Sequence, residues 1–328
     1  MGKTMNSHET RPKPVAVVGA GLIGSSWAIC FARAGHEVRL NDNSEDALRT
    51  AMDTIASALD DLVGFGLLNG QAPETLMDRV RPMTELDACL DGVAHVQECA
   101  PEAIPAKQAL FNRLGALTGP ETVLASSTSA FLPSLFTADV PHRERCLVAH
   151  PINPPYLVPL VQLVPAPWTD IAIVDRTRQL MQAAGQSPIV LEGETDGFVV
   201  NRLQGALIHE AIRLVSEGVA SPGAIDLAVS KGLGLRWSFM GPFETMELNA
   251  PAGIRDYVER YGELYRRIIG VEHAERMWTG PALDVIERDR SSQLDRDRIA
   301  ERQRWRDRRL MDVVAGFAAA EKRTPWNS

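Results

Sequence analysis

Three glycines near the start of the chain have the spacing of a dinucleotide-binding loop. The apolar run Val15–Val18 is typical of a buried parallel strand, and a G-x-G-x-x-G loop follows it directly. A helical pattern comes next, so the helix N-terminus would face the phosphates of a bound ligand. The residues expected to contact a cofactor in this loop are Gly19, Gly21, Leu22, Ile23 and Gly24.

An acidic residue follows the second predicted strand and bears on the choice of cofactor. Asp42 comes directly after Glu37–Asn41, where a carboxylate would accept hydrogen bonds from both ribose hydroxyls and repel a 2′-phosphate. Asn43 and Ser44 occupy the positions after it, where a phosphate-binding arginine would suit NADP. The sequence therefore predicts NAD as the cofactor.

The composition argues against several classes of partner. The chain has 328 residues, a formal net charge of −8 and 45% hydrophobic residues, which suits two globular domains and disfavours nucleic acid or an anionic membrane. There is no run of about 18 apolar residues, and residues 1–13 are polar, so we expect a disordered leader, no membrane segment and a cytoplasmic location. The four cysteines form no C-x-x-C pair, which favours free thiols, and no metal site is predicted.

The order of the predicted elements places the polar residues at one edge of a sheet. Strands and helices alternate from Val15 to about residue 193, which is typical of a Rossmann-type, doubly wound and mostly parallel α/β sheet. Such sheets bind their ligands at the carboxyl ends of the strands. Two of the later strands run into the polar segments Ser126–Ser129 and His150–Pro154 at that edge.

From residue 194 onward the pattern is helical only. Apolar residues recur at helical spacing over Phe198–Leu214, Gly241–Tyr261, Gly270–Arg288 and Arg296–Ala320. We therefore expect an NAD-binding domain at 14–193 and an all-α substrate and dimerisation domain at 194–328. Long amphipathic helices can bury a self-complementary face, so a homodimer through this half is expected.

Several motifs in a fixed order carry a resemblance to a known family. They are the glycine-rich loop, Ser126–Ser129, His150–Pro154 and Gly197–Arg202. With these motifs the chain resembles the 3-hydroxyacyl-CoA dehydrogenase family over roughly residues 15 to 260. Within that family, His150–Pro159 and Gly241–Asn249 are most similar to the lambda-crystallin and L-gulonate 3-dehydrogenase branch. Carnitine dehydrogenases share the segment Gly234–Gly241.

The resemblance implies a role for each polar residue at the sheet edge. His150 would act as general base and take the proton from a C3 hydroxyl while a hydride passes to NAD. Ser129 and Asn201 would hydrogen-bond the substrate oxygen, and Asn153 would support the histidine loop. Glu102 and Lys107 would line the nicotinamide end of the cofactor, and Ser127 would be a further cofactor-binding residue. Without the motif, a histidine at the start of a loop is more often structural, and Lys107 could be a solvated helix residue.

One position departs from the family pattern. The family pairs its histidine with a glutamate twelve residues further on, and this chain has Gln162 there. The amide oxygen of Gln162 could accept the imidazole N–H and leave the other ring nitrogen free as base, but it cannot stabilise an imidazolium. Either the enzyme is weakened, or a carboxylate such as Glu244 or Glu247 substitutes, or the residue was altered by design.

The charges expected around the cleft bear on the substrate. Coenzyme A is polyanionic, yet Thr50–Asp78 contains no Lys or Arg and several acids, which argues against a CoA thioester. Arg236 could bind a free carboxylate through two hydrogen bonds, or it could be one of many surface arginines. The expected activity is NAD-dependent oxidation of a small, L-gulonate-like 3-hydroxy acid. The alternatives are L-carnitine, a 3-hydroxyacyl-CoA such as 3-hydroxybutyryl-CoA, and a non-catalytic, crystallin-like NAD binder.

Overall fold

The computed structural model describes residues 13–269 and 281–323. The expected leader at 1–13 lies outside the described residues, apart from Lys13. The chain divides into two compact units, residues 1–206 and 207–328. The strands of the first unit are β1 (Val15–Val18), β2 (Val38–Asn41), β3 (Val80–Met83), β4 (His95–Glu98), β5 (Val123–Ser126), β6 (Cys146–Pro151), β7 (Leu160–Pro165) and β8 (Ser187–Val190). Its helices are α1 (Leu22–Arg33), α2 (Glu45–Gly64), α3 (Pro73–Met77), α4 (Leu86–Leu90), α5 (Ile104–Leu117), α6 (Ser134–Thr137) and α7 (Ile171–Ala183).

The eight strands form one mostly parallel sheet. Their order is β3-β2-β1-β4-β5-β6-β7-β8, and β6 and β7 pair in the antiparallel sense. The strand order reverses between β1 and β4, which is the position where doubly wound sheets bind dinucleotides. The Rossmann-type α/β fold predicted from the sequence is therefore confirmed.

Two apolar layers hold the strands in place. Val15 and Val17 of β1 pack in the same cluster as Trp27 of α1. Ala16 and Val18 belong to the cluster on the opposite face. Because both faces of β1 are buried, a continuous apolar strand fits here, and the polar residues that follow the strand ends are held at a rigid edge.

All the regular secondary structure in the described part of the second unit is helical. Helix α8 (Val200–Ser216) runs across the division between the units. The later helices are α9 (Pro222–Leu227), α10 (Gly234–Trp237), α11 (Pro242–Leu248), α12 (Ile254–Ile269), α13 (Pro281–Gln293) and α14 (Ile299–Arg323). An all-α second half is thus confirmed, whereas the domain boundary near residue 193 stays a prediction.

The helical pattern over Gly241–Tyr261 contains two helices, with a break between them. Helix α11 is capped at Asn249, and α12 begins after Gly253, which has φ +81°. Pro251 lies between them and lacks the N–H that a continuous helix would need. The pattern predicted over Gly270–Arg288 falls partly outside the described residues.

The sequence analysis also predicts free cysteine thiols and no membrane segment, and the structure bears on both expectations. All four cysteines are free thiols, as expected. Burial raises the pKa of each thiol to about 12, so none is a thiolate at neutral pH. Among the described helices, none combines the length and the apolar content needed to cross a bilayer.

Candidate active site

The glycine-rich loop between β1 and α1 is tightly packed at two of its three glycines. Gly19 has φ +105°, and a Cβ there would lie 2.6 Å from the carbonyl oxygen of Cys99. A Cβ on Gly24 would lie 1.8 Å from the carbonyl oxygen of Gly19. A Cβ on Gly21 would meet nothing within 4 Å. Protein atoms therefore occupy the space beside Gly19 and Gly24, whereas the space beside Gly21 is free. This is the geometry that lets a pyrophosphate approach the backbone.

The start of α1 is available to an anionic ligand. Gly21 is the N-cap and supplies no side-chain hydrogen bond, so the first N–H groups of the helix are left without a side-chain cap. Leu22 is exposed in this first turn, and Ile23 packs against the core. These residues therefore fit the phosphates of a dinucleotide.

A cleft of about 660 Å³ lies beside the loop, and both Gly21 and Asp42 line it. The Asp42 carboxylate accepts hydrogen bonds from the N–H of Ala20 at 3.0 Å and the N–H of Ser44 at 3.1 Å. These two bonds hold the carboxylate at the end of β2, where the ribose of NAD is expected. Asp42 therefore lies where the sequence analysis places it.

A buried ion pair lies at the carboxyl end of β4, and the sequence analysis missed one of its members. Lys107 Nζ lies 2.9 and 3.1 Å from the two carboxylate oxygens of Glu98. The side chains are 1% and 0% exposed, so the interpretation of Lys107 as a solvated helix residue is wrong. The available signal for Glu98 was an acid at the carboxyl end of β4, next to the point where the strand order reverses.

Glu102 connects this lysine to the residues expected at the substrate. One Glu102 oxygen lies 3.6 Å from Lys107 Nζ and accepts a hydrogen bond from the Thr128 hydroxyl at 2.8 Å. The other accepts the N–H of Ser129 at 3.0 Å. The Asn201 side chain donates to the Ser129 carbonyl at 3.0 Å. The structure thus brings Glu102, Ser129 and Asn201 together, and the last two are exposed to solvent.

The Ser127 hydroxyl is occupied by neighbours inside the protein. It accepts hydrogen bonds from the Gln97 amide at 2.8 Å and the Trp27 indole N–H at 3.2 Å. Cys99 Sγ lies 3.2 Å from the same oxygen. Both lone pairs of the hydroxyl therefore accept hydrogen bonds from side chains inside the protein. A contact of Ser127 with the cofactor stays a prediction.

His150 lies near the carboxyl end of β6 and is held by Gln162 on β7. The two residues face each other in the antiparallel pair, and Gln162 Nε2 lies 2.8 Å from His150 Nδ1. The amide oxygen of Gln162 accepts the backbone N–H groups of Val199 and Val200, each at 3.0 Å. The ring of Phe198 packs against the imidazole, with the centroids 5.5 Å apart. The histidine is therefore positioned from two sides.

The orientation of the Gln162 amide corrects the sequence analysis. That analysis allowed the amide oxygen to accept the imidazole N–H, and the structure has the opposite end of the amide at the imidazole. The N–H groups of Val199 and Val200 donate hydrogen bonds to the amide oxygen, so the NH₂ group faces His150. No local signal could have revealed this, because those two residues come 37 and 38 positions later in the chain.

The charge state of His150 follows from its surroundings. Burial lowers the pKa of the imidazole, and the negative charge of Glu102 acts in the opposite direction. The net shift is downward from the ordinary value of 6.5, so the imidazole is neutral at pH 7. A neutral imidazole at a strand end can exchange a proton with a bound hydroxyl.

The carboxylates considered as substitutes for the missing glutamate already have arginine partners. Glu247 lies 2.6 Å from Arg290 Nη2, and Glu244 lies 2.8 Å from Arg302 Nη2. The geometry therefore gives no support to either carboxylate as the partner of His150.

Two further residues from the sequence analysis have less defined surroundings. Asn153 is exposed in the loop after β6, next to a cis bond to Pro154, and its supporting role stays a prediction. Arg236 is half-buried in α10 of the second unit. Burial raises the pKa of the Tyr257 phenol, a hydrogen bond with Tyr265 adds to this, and the charge of Arg236 opposes both. Arg236 therefore lies within electrostatic range of Tyr257.

The open glycine loop, the acid after β2 and a buried histidine at the same sheet edge define an NAD-dependent oxidoreductase. Comparison with protein families gives the same class. The model of the 3-hydroxyacyl-CoA dehydrogenase NAD-binding domain matches residues 14–195, and that of the C-terminal domain matches 197–276. The chain belongs to the 3-hydroxyacyl-CoA dehydrogenase family, which confirms the resemblance read from its motifs.

Individual relatives cover nearly the whole chain. A lambda-crystallin homolog from Bos taurus is 44% identical over 306 residues, which is 92% of this chain and 95% of the relative. An L-carnitine dehydrogenase from Pseudomonas aeruginosa is 35% identical over 325 residues, covering 96% of this chain and 100% of the relative. The crystal structure of a 3-hydroxyacyl-CoA dehydrogenase from Archaeoglobus fulgidus matches with a TM-score of 0.71 at 25% identity, over 92% of this chain and 99% of that one.

Proposed function

We propose that this chain oxidises the 3-hydroxyl of a small, free 3-hydroxy acid, with L-gulonate-like acids as the first candidates. The observation that carries the proposal is the position of His150, buried near the carboxyl end of β6 in the same unit as the open dinucleotide loop. Asn201 and Ser129 are joined by a hydrogen bond in that unit, and Gln162 links His150 to the residues just before Asn201. This arrangement suits recognition of a single reacting oxygen.

The proposed mechanism assigns one task to each of these residues. The hydride acceptor for C3 of the substrate would be a bound NAD, held by the glycine-rich loop and Asp42. His150 exchanges the hydroxyl proton at Nε2, because its Nδ1 is occupied by Gln162. The Ser129 hydroxyl and the Asn201 amide hydrogen-bond the same oxygen and orient the C3–H bond.

A free acid is preferred to a thioester on electrostatic grounds. The segment Thr50–Asp78 has acids and no cation, and in α2 it places Asp53, Asp60 and Asp61 on the surface. Such a surface repels the phosphates of coenzyme A. The similarity to an L-carnitine dehydrogenase supports carnitine, itself a small 3-hydroxy acid, as the second candidate. A 3-hydroxyacyl-CoA is the third, supported by the Archaeoglobus relative.

The test is a substrate panel with NADH formation as the readout. L-Gulonate, L-carnitine and (S)-3-hydroxybutyryl-CoA are each supplied with NAD, and binding of NAD is measured separately by calorimetry. We expect kcat/KM to be highest for a free acid. Turnover of the thioester alone would overturn the substrate assignment, and NAD binding without turnover of any substrate would leave a non-catalytic binder.

Arg236→Met is expected to lower kcat/KM for the free acid by about 2 kcal/mol, the range for hydrogen bonds to charged groups. Methionine keeps much of the aliphatic volume and removes the two coplanar N–H donors of the guanidinium. Affinity for NAD should hardly change. Arg236→Lys should recover only part of the loss, because an ammonium cannot reproduce that pair. Steady-state kinetics with the panel check this.

The control for Arg236 is Arg298→Met, which removes an exposed arginine of the same unit that is paired with Glu301. It should leave kcat/KM unchanged. An equal loss of free-acid and acyl-CoA activity in Arg236→Met would identify a structural arginine, and intact free-acid activity would remove the basis for the substrate assignment.

We also propose that the chain forms a homodimer through helix α8. None of its residues is buried, although one side of the helix is apolar. The exposed apolar residues on that side are Leu203, Leu207, Ile208, Ile212 and Val215. A continuous stripe of this kind usually marks a protein–protein contact, and a second copy presents the same stripe.

Ile212→Glu is expected to raise the dimer dissociation constant at least about tenfold, because it brings a charge into the shared apolar contact. Sedimentation over a range of concentrations measures it. Arg213→Gln changes the net charge by the same amount on the polar side of α8, where Arg213 pairs with Glu210 and Glu217, and should leave the dimer intact. A parent chain that sediments as a monomer at every concentration would contradict the proposal.

A further inference from the structure

Gln162 is enclosed by groups whose hydrogen-bonding roles are fixed. Its side chain is buried, and its oxygen accepts the N–H groups of Val199 and Val200 at 3.0 Å each. Gly197 at φ +75° and Phe198 at φ +52° turn the chain so that both N–H groups converge on that oxygen. A backbone N–H can only donate, so the amide oxygen has to face α8.

The other end of the amide sets the protonation pattern of the histidine. The NH₂ group of Gln162 lies 2.8 Å from His150 Nδ1. An amide NH₂ can only donate, so Nδ1 has to supply a lone pair. A neutral imidazole carries one proton, and that proton therefore lies on Nε2.

We infer that Gln162 holds His150 as the Nε2–H tautomer, and that this makes proton transfer the slow step in this chain. The inference rests on the proposed function. During oxidation the C3–H pair leaves as hydride to NAD, and the hydroxyl proton has to go to a lone pair on Nε2. That lone pair exists only when the ring proton is on Nδ1, where it would point at the NH₂ of Gln162.

Turning the amide does not remove the conflict. A turned amide would accept the Nδ1 proton of His150, but it would place its NH₂ against the N–H groups of Val199 and Val200. Two backbone donors that now share the amide oxygen would then lose their acceptor. A carboxylate at this position has no such conflict, since one oxygen can accept both N–H groups and the other can accept the Nδ1 proton.

The Nε2–H tautomer does not lower the affinity for a ligand. A proton on Nε2 can be donated in a hydrogen bond to the oxygen of a 3-hydroxy acid or of its 3-oxo product. Gln162 is thus a positioning residue that favours bound complexes over rapid turnover. The chain should form a complex with NAD and a 3-hydroxy acid and react slowly within it.

The first test is spectroscopic and uses the unaltered chain. Histidine labelled with ¹⁵N is observed through its two-bond couplings to the ring protons, and the His150 signals are assigned by their loss in His150→Gln. We expect an imine-type nitrogen at Nδ1 and a pyrrole-type nitrogen at Nε2. In Gln162→Glu the two types should exchange or both should become protonated. A protonated Nδ1 in the unaltered chain at neutral pH overturns the inference.

The second test is kinetic. Gln162→Glu is expected to raise kcat for the best substrate of the panel at least about tenfold, with KM changed by less than about twofold, since general base catalysis typically contributes 10²–10⁴-fold. The same substitution in a His150→Gln background should give no gain, because the carboxylate acts through His150. A gain of equal size in both backgrounds overturns the inference.

The two tests separate this inference from the proposed function. Exchanged nitrogen signals in Gln162→Glu with unchanged kcat overturn the claim that the tautomer limits the rate. Absence of turnover in both chains, with the expected signals present, overturns the proposed function and leaves the tautomer assignment standing.

Discussion

Lys107→Met is expected to lower the free energy of unfolding by about 3–5 kcal/mol, the range for removing one partner of a buried ion pair. The Lys107 ammonium lies 2.9 and 3.1 Å from the two oxygens of Glu98, and both side chains are buried. The methionine would fill the space and leave the carboxylate without its countercharge. Urea denaturation measures the loss as a lower midpoint at unchanged slope.

The groups that remain around Glu98 explain the size of the effect. The N–H of Ala100 donates to one carboxylate oxygen at 2.7 Å, and the Ser126 hydroxyl donates to the other. Both of these donors are neutral. The buried carboxylate of Glu98 also needs a cation, because water does not reach it. The pair is also connected to Ser129, which is proposed to bind the substrate, because Glu102 lies 3.6 Å from the same ammonium and accepts the N–H of Ser129.

Two further variants separate burial of the charge from loss of the lysine side chain. Glu98→Gln combined with Lys107→Met leaves neither charge, and should recover much of the lost stability. Arg113→Met breaks an ion pair with Asp87 at 3.0 Å whose side chains are 59% and 67% exposed, and should cost less than about 1 kcal/mol. A double variant no more stable than Lys107→Met alone would contradict this account.

The parts of the site that could be predicted are those set by short stretches of sequence. The spacing of Gly19, Gly21 and Gly24 determines a turn whose conformation follows from the residues themselves. The apolar strands before Asp42 and His150 bring both side chains to the ligand edge, since parallel strands end together there. Pro251 was a visible helix-breaking signal within the helical pattern over Gly241–Tyr261.

The parts that could not be predicted depend on partners far apart in sequence. Hydropathy does not reveal that Lys107 is buried, because its burial depends on Glu98 from a neighbouring strand. The orientation of the Gln162 amide depends on two backbone N–H groups at the start of α8. Both features depend on which donor atom meets which acceptor atom. A sequence pattern gives the residue types but does not show these contacts.

Gly24→Ala is expected to lower the affinity for NAD by about 100-fold or more and the free energy of unfolding by about 1–3 kcal/mol. Its Cβ would lie 1.8 Å from the carbonyl oxygen of Gly19, whereas ordinary contact begins at 3.4 Å. Helix α1 or the loop therefore has to move by more than about 1 Å, and a shift of that size misplaces the N–H groups that meet the pyrophosphate. Calorimetric titration with NAD and urea denaturation measure the two effects.

Two other glycines supply the controls that distinguish packing from ligand contact. A Cβ on Gly21 would meet nothing within 4 Å of the protein but would enter the cleft, so Gly21→Ala should bind NAD more weakly at unchanged stability. Gly64 lies at the end of α2 with open space around its Cβ position, and Gly64→Ala should preserve NAD affinity and slightly stabilise the helix. Normal NAD affinity in Gly24→Ala would mean that the close approach of α1 to the loop is not what positions the cofactor. Weak binding in all three variants would mean that the glycine-rich loop carries no special role.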